Sequence, residues 1–174
     1  MLLTRHAAPA LTVPLIGGGS VTLAEAKPEQ FTIVVFYRGK HCPLCKKYLQ
    51  EIDALVGEAK SAGFDVIAVS MDSQERAEAS TAEWGIENLR MGYQMDEATA
   101  RSFGLYISSA RAGSTEPARF SEPGLAVVDA ENVVFFAQVQ SAPFTRPPFA
   151  DLIGGLKFVV ANNYPARGDL SVAA

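Results

Sequence analysis

Residues 31–37, FTIVVFY, form an uninterrupted run of β-branched and aromatic side chains without a charge. A strand of this composition suits the centre of a sheet, with both faces covered. The next segment supplies part of that cover. Leu44, Tyr48, Leu49, Ile52, Leu55, Val56 and Ala59 recur at helical spacing up to Gly63, which is placed as a C-terminal cap. That helix runs about five turns. Residues 64–71, FDVIAVSM, then read as a second buried strand. Strand, helix and strand in this order predict two parallel strands with a right-handed crossover.

The rest of the chain repeats the alternation in shorter pieces. Residues 11–15 and 21–23 flank Gly17, Gly18 and Gly19 as a small N-terminal β-hairpin. Asp72, with Glu75 three residues on, predicts the N-cap of a helix over 73–84. Residues 89–93 read as strand or loop, 96–103 as a helix, and 108–122 as a polar irregular stretch. Residues 124–128 and 133–139 read as two strands joined by the turn Asp129-Ala130-Glu131-Asn132. Residues 151–161 close as a helix. The sum predicts an α/β fold: one domain over 1–174, a central mixed sheet with helices on its faces, and a loosely held tail over 162–174.

A chain of 174 residues is long enough to bury roughly 70% of its unfolded surface without disulfide staples. A formal net charge of −4 offers no general attraction for nucleic acid or an anionic membrane. The longest uncharged run, residues 7–24, has about the length of a membrane span, but Pro9, Pro14 and the three glycines break it. The chain is therefore expected to be cytoplasmic, a compartment where a lone cysteine pair is more often catalytic or metal-binding than structural.

Both cysteines lie in one C-x-x-C unit, Cys42-Pro43-Leu44-Cys45, at the junction of the first long strand and its helix. There Cys42 takes the helix N-terminus, and Pro43 takes the first-turn position, where a missing N–H costs nothing. Unpaired N–H groups face the Cys42 sulfur and favour its thiolate. Arg38, Lys40 and His41 add positive potential. Together these effects are expected to lower the Cys42 pKa from about 8.5 to about 6.5. Cys45, one helical turn on, is expected to be less exposed than a partly exposed Cys42 and able to resolve a mixed disulfide or sulfenate on it. Two alternatives stay open on these residues: half of a zinc site, for which only His6 and His41 remain as the usual partner ligands, or two inert core cysteines. No Gly-rich phosphate loop occurs, so no bound nucleotide, flavin or other cofactor is expected, and electrons come from an external thiol.

FTIVVFYRGKHCPLCKKYLQEI, GFDVIAVSMD and SEPGLAVVDAENVV together resemble the thioredoxin-fold superfamily, and within it the peroxiredoxin-like alkyl hydroperoxide reductase/thiol-specific antioxidant family. The resemblance covers roughly residues 9–160. It implies a thioredoxin-like three-layer sheet and a thiol-based antioxidant oxidoreductase. In such an enzyme Cys42 attacks a peroxide or a disulfide, Cys45 closes the disulfide, and a thioredoxin or glutathione system reopens it. The pattern departs from the family at two places. Peroxiredoxins carry Pro-x-x-x-Thr/Ser-x-x-Cys, and here Val35 and Gly39 fill the first two positions. Pro123 stands where the family places an arginine; it resembles the cis-proline of thioredoxins, so Glu122–Pro123 is expected to be a cis peptide offering its backbone to substrate beside the cysteines. These departures make protein disulfide exchange the competing activity. A non-catalytic redox sensor is the reading from another class.

Arg38, at the strand end, is the expected activating residue. Arg111 and Arg119 in the polar stretch are candidate substitutes for the missing arginine. The Pro-rich residues 140–149, QSAPFTRPPF, read first as a connector, and otherwise as a rim to the site or a contact within a homodimer.

Overall fold

The computed structural model describes residues 2–168 and 170. Its elements are β1 (Thr12–Pro14), β2 (Ser20–Thr22), β3 (Phe31–Phe36), α1 (Pro43–Ser61), β4 (Phe64–Val69), α2 (Gln74–Trp84), β5 (Arg90–Gly92), α3 (Glu97–Ser102), β6 (Ile107–Ser109), β7 (Arg119–Ser121), β8 (Gly124–Asp129), β9 (Val134–Val139) and α4 (Phe149–Asn162). Five strands form the central sheet in the order β5-β4-β3-β8-β9. β3 pairs parallel with β4 and antiparallel with β8, so the sheet is mixed. This is the mixed α/β sheet that the alternation of elements predicts, in the thioredoxin-like arrangement that the resemblance implies.

β3 is buried along its whole length, and period-two alternation divides it between two cores. Phe31, Ile33, Val35 and Tyr37 face α1, α4 and the end of α2, packing with Leu49, Ile52, Trp84, Ile153 and Leu156. Val34 and Phe36 face the other way, toward Leu11, Val13 and Leu23 of the N-terminal hairpin region and Ala100 and Phe103 of the α3 segment. Helices cover one face and the hairpin with α3 covers the other, which is why β3 carries no polar alternation.

Three elements differ from the sequence expectation. α2 is capped by Ser73, whose hydroxyl accepts the Arg76 N–H at 3.4 Å, and not by Asp72. Asp72 is 2% exposed and is engaged instead by the turn after β3. Residues 108–122 are not irregular throughout: β6 and β7 pair antiparallel there, with Ile107 opposite Ser121. α4 starts two residues early because the Glu51 carboxylate of α1 accepts the Phe149 N–H at 3.0 Å, an anion at a helix start that offers no capping side chain of its own. Of the tail expected over 162–174, residues 169 and 171–174 lie outside the described residues. Within the described part, Thr4 donates its hydroxyl to the Arg167 carbonyl at 2.7 Å.

The register of β3 places the site. Phe36 stands opposite Val69 of β4 and Gly124 of β8, so the loop after β3, the loop after β4 and Glu122-Pro123 converge at one end of the sheet. α1 leaves from that end and returns beneath the sheet, anchored by Leu49 and Ile52, both fully buried. Truncating Ile52 to Ala is expected to cost about 2–5 kcal/mol by cavity formation. Urea denaturation of the reduced protein measures this.

Candidate active site

The site begins as a helix-capping problem. α1 has unpaired N–H groups in its first turn, and the residue before it must supply an acceptor. Cys42 does so: in extended backbone, φ −106° and ψ 101°, it is the N-cap, and its sulfur accepts the Cys45 N–H at 3.2 Å. Pro43 follows at the start of the helix, where it removes a donor that would otherwise lack a partner. The Cys45 thiol also donates to the Cys42 sulfur. A thiolate accepts such bonds better than a thiol, so the cap favours ionisation.

Cys42 is not partly exposed as its position at a helix start suggested. It is 1% exposed and Cys45 is fully buried, both as free cysteines in the core between α1 and the sheet. The cover comes from the loop between β9 and α4, which the sequence reads first as a connector. Arg146 of this loop lays its guanidinium against the pair, with Nη2 3.0 Å from the Cys45 sulfur and 4.0 Å from the Cys42 sulfur. The Tyr48 ring lies 5.6 Å from the guanidinium carbon. The loop is tied at both ends: the Gln140 N–H donates to the Pro123 carbonyl at 2.9 Å, and Phe149 is held by Glu51.

These contacts push the two thiols apart in acidity. Hydrogen bonds from Cys45 and the charge of Arg146 lower the Cys42 pKa to about 6, against the opposing effect of burial. Burial, aided by the neighbouring Cys42 sulfur, raises Cys45 well above the ordinary thiol range. At neutral pH the pair holds one proton, on Cys45. Among the described residues no group of three or more His, Cys, Asp or Glu has metal-site geometry.

The other singled-out residues have different work. Arg38 turns away from the sulfurs: its Nε is 3.2 Å from Glu122, its Nη2 is 3.4 Å from Glu116, and its guanidinium stacks over Phe120. Only its backbone N–H is directed at the Cys45 sulfur. Glu122 accepts from Ser108 at 2.7 Å and is buried in this ion pair. The Glu122–Pro123 peptide is trans, since the described residues contain no cis bond. The thioredoxin-like backbone platform is therefore absent, and Pro123 lines a cleft with Tyr48, Gln140 and Arg146. Lys40 pairs with Glu83. His41 is pushed down to about 4 by burial and by Arg38, so it is neutral at pH 7 and adds no positive charge. Arg111 is committed to Glu116 and Arg119 to Glu97. The cation that meets the cysteines is Arg146. Its one sequence signal is isolation: it is the only Lys or Arg between Arg119 and Lys157.

The missing hydroxyl at position 39 has a steric cause. Gly39 sits at φ +124°, and a Cβ there would lie 2.6 Å from the Asp72 carboxylate. That carboxylate accepts the Lys40 N–H at 2.7 Å and the Arg76 guanidinium at 2.9 Å, fixing the turn that leads into Cys42. A threonine and this Asp72 cannot share the space. Gly39→Ala is expected to lower stability by about 1–3 kcal/mol through strain and displacement of Asp72, measured as a reduced midpoint in urea.

The fold places this chain among known proteins. Solved structures with the same fold include peroxidoxin BcpB from Mycobacterium tuberculosis, at 16% identity and TM-score 0.73, covering 92% of this chain and 99% of that one. AhpC from Enterococcus faecalis is similar at 16% identity and TM-score 0.73, covering 100% of both chains. Reduced Prx3 from Vibrio vulnificus, solved in complex with hydrogen peroxide, is similar at 18% identity and TM-score 0.74, covering 90% of this chain and 99% of that one. No curated protein sequence matches the chain. The model of the AhpC/TSA family matches residues 4–137, more than half of the chain and the whole of the strand-to-helix junction that carries the two thiols. The chain belongs to the AhpC/TSA family and is a thiol-based antioxidant oxidoreductase with the thioredoxin fold.

Proposed function

We propose that the enzyme reduces hydroperoxides, with Cys42 as nucleophile and Cys45 as resolving thiol. The Cys42 thiolate attacks one oxygen of the hydroperoxide. The O–O bond breaks, the alkoxide or hydroxide leaves and takes up a proton, and Cys42 becomes a sulfenic acid. Cys45 then attacks the Cys42 sulfur. An S–S bond forms, the sulfenic oxygen leaves as hydroxide, and the proton from Cys45 converts it to water. An external thiol reductant of the thioredoxin or glutathione type returns the disulfide to two thiols, as the reducing cytoplasm would allow.

The observation that carries this reading is the placement of two sulfurs at one helix start, the Cys42 sulfur accepting the Cys45 N–H at 3.2 Å and Cys45 fully buried. This placement lowers the pKa of Cys42 and raises that of Cys45. The burial of Cys42 beneath the loop that carries Arg146 favours a small hydroperoxide over a protein disulfide. A polypeptide reaches Cys42 only after the 140–148 loop has moved. The trans peptide at Pro123 further weakens the case for disulfide exchange.

Side-by-side kinetics with hydrogen peroxide, an organic hydroperoxide and a disulfide-linked protein, coupled through thioredoxin and its reductase, test the reading. Sustained turnover is expected with the hydroperoxides. A single stoichiometric oxidation without turnover would instead identify a sensor. Cys42→Ser is expected to abolish reaction, because a serine hydroxyl is not ionised at neutral pH. Cys45→Ser is expected to stop after one oxidation, as a sulfenic acid on Cys42 visible by intact-protein mass spectrometry. Because the thiolate is the reactive form, the rate of the first oxidation should rise with pH through about 6 and level off above it. If Cys42→Ser still reacts and Cys45→Ser does not, the two roles are reversed.

A further inference from the structure

Cys42 has strong partners besides Arg146: the Cys45 N–H at 3.2 Å, the Cys45 thiol and the positive end of α1. Arg146 lies closer to the other sulfur, 3.0 Å from Cys45 against 4.0 Å from Cys42. Cys45 needs such help, since it is fully buried and its own N–H and thiol are both turned to the Cys42 sulfur. We propose that Arg146 serves chiefly the second step of the cycle, holding Cys45 as the thiolate that attacks oxidised Cys42.

The charges around Cys45 make this a handover. Before oxidation, burial and the negative Cys42 sulfur keep the proton on Cys45. Oxidation of Cys42 to a neutral sulfenic acid removes that negative charge. Of the effects that remain, burial still opposes ionisation, while the Arg146 guanidinium and the Arg38 backbone N–H favour it. The other titratable groups nearby bring no competing cation: the Arg38 side chain is spent on Glu116 and Glu122, and Tyr37 and Tyr48 are neutral phenols that burial keeps protonated. When Arg146 draws Cys45 to its thiolate, the proton leaves with the hydroxide displaced from Cys42, and the products are a disulfide and water. Atoms and charge balance with no reactant beyond the hydroperoxide already consumed.

The loop is built to hold this one guanidinium. Arg146 Nη1 donates back to the Pro143 carbonyl at 2.9 Å, so the side chain staples its own loop. Gln140 donates its side-chain amide to the Thr145 carbonyl. Thr145, directly before Arg146, has φ +57°, a left-handed conformation that β-branched residues rarely adopt. A strained residue held by surrounding hydrogen bonds, next to a charge that touches a reacting sulfur, fits a loop selected for placement of Arg146. Pro147 and Pro148 follow it and stiffen the approach to α4.

The inference rests on the Cys42/Cys45 order of attack proposed above, and two probes separate its failure from failure of the hydroperoxide reading. In the first, reduced protein is mixed with hydrogen peroxide, and the sulfenic acid and disulfide are followed by quenching and mass spectrometry. In the second, an aromatic disulfide that releases a coloured thiolate replaces peroxide; the first equivalent released reports attack by Cys42, and the second reports attack by Cys45. Arg146→Met is expected to slow formation of the first adduct by less than about tenfold at pH 7, and closure of the intramolecular disulfide by about a hundredfold, since each unit added to the Cys45 pKa costs tenfold in thiolate. The pH at which closure reaches half its maximal rate should move upward in Arg146→Met, and Arg146→Lys should restore part of the closure rate. A merely structural loss would slow both steps together and leave that pH unchanged. Closure in Arg146→Met at the wild-type rate, or a first step that falls as far as the second, overturns the proposal. If only the aromatic disulfide reacts, the hydroperoxide reading fails while the role of Arg146 is still decided by the two releases.

Discussion

The acceptance of a backbone N–H by the Cys42 sulfur, at the first turn of α1, is the contact on which the rest of the site depends. A helix start requires an acceptor, and this chain fills that position with a group that can carry full negative charge. The same geometry sets Cys45 one turn further along, where its N–H and its thiol both reach back to Cys42. Structure and reactivity are thus one requirement. α1 is anchored by a fully buried stripe against β3, so the sulfur it caps is held as rigidly as the core.

Burying a thiolate is costly unless it is hydrogen-bonded and paired. Here the hydrogen bonds come from α1 and the paired charge comes from Arg146, about a hundred residues away in sequence. Closing the loop over the pair excludes water and strengthens those interactions in the lower local dielectric. The same closure restricts entry, which favours a small oxidant. The space a peroxiredoxin-type threonine would fill is taken by the Asp72 carboxylate against Gly39, so the sulfur is activated by cap and guanidinium, with no hydroxyl contribution from position 39.

Much of this was legible in the sequence because it is local or periodic. The apolar run at 31–37, the helical stripe after it and the Cys-Pro pair at their junction dictate a buried strand, a long helix and an N-terminal sulfur. What the sequence misplaced depends on contacts distant along the chain. Arg38 looked like the activator from its position, but two glutamates and Phe120 in the β6–β7 region capture it. His41 looked like a cation, but burial beside Arg38 keeps it neutral. Pro123 invited a cis bond by analogy and is trans. Asp72 looked like a cap because a local rule favours it, whereas a turn 32 residues earlier uses its carboxylate. Arg146 was hidden inside a Pro-rich segment whose composition signals a connector and says nothing of where its one charge points.

The account stands on the asymmetry of the two thiols, and titration of thiolate ultraviolet absorbance in the reduced protein tests it most directly. The expected result is one thiolate growing in with a midpoint of about 6, lost in Cys42→Ser, while the second thiol stays protonated beyond the ordinary cysteine value of about 8.5. Two thiols ionising together near that ordinary value, or a low midpoint that survives in Cys42→Ser, would contradict it.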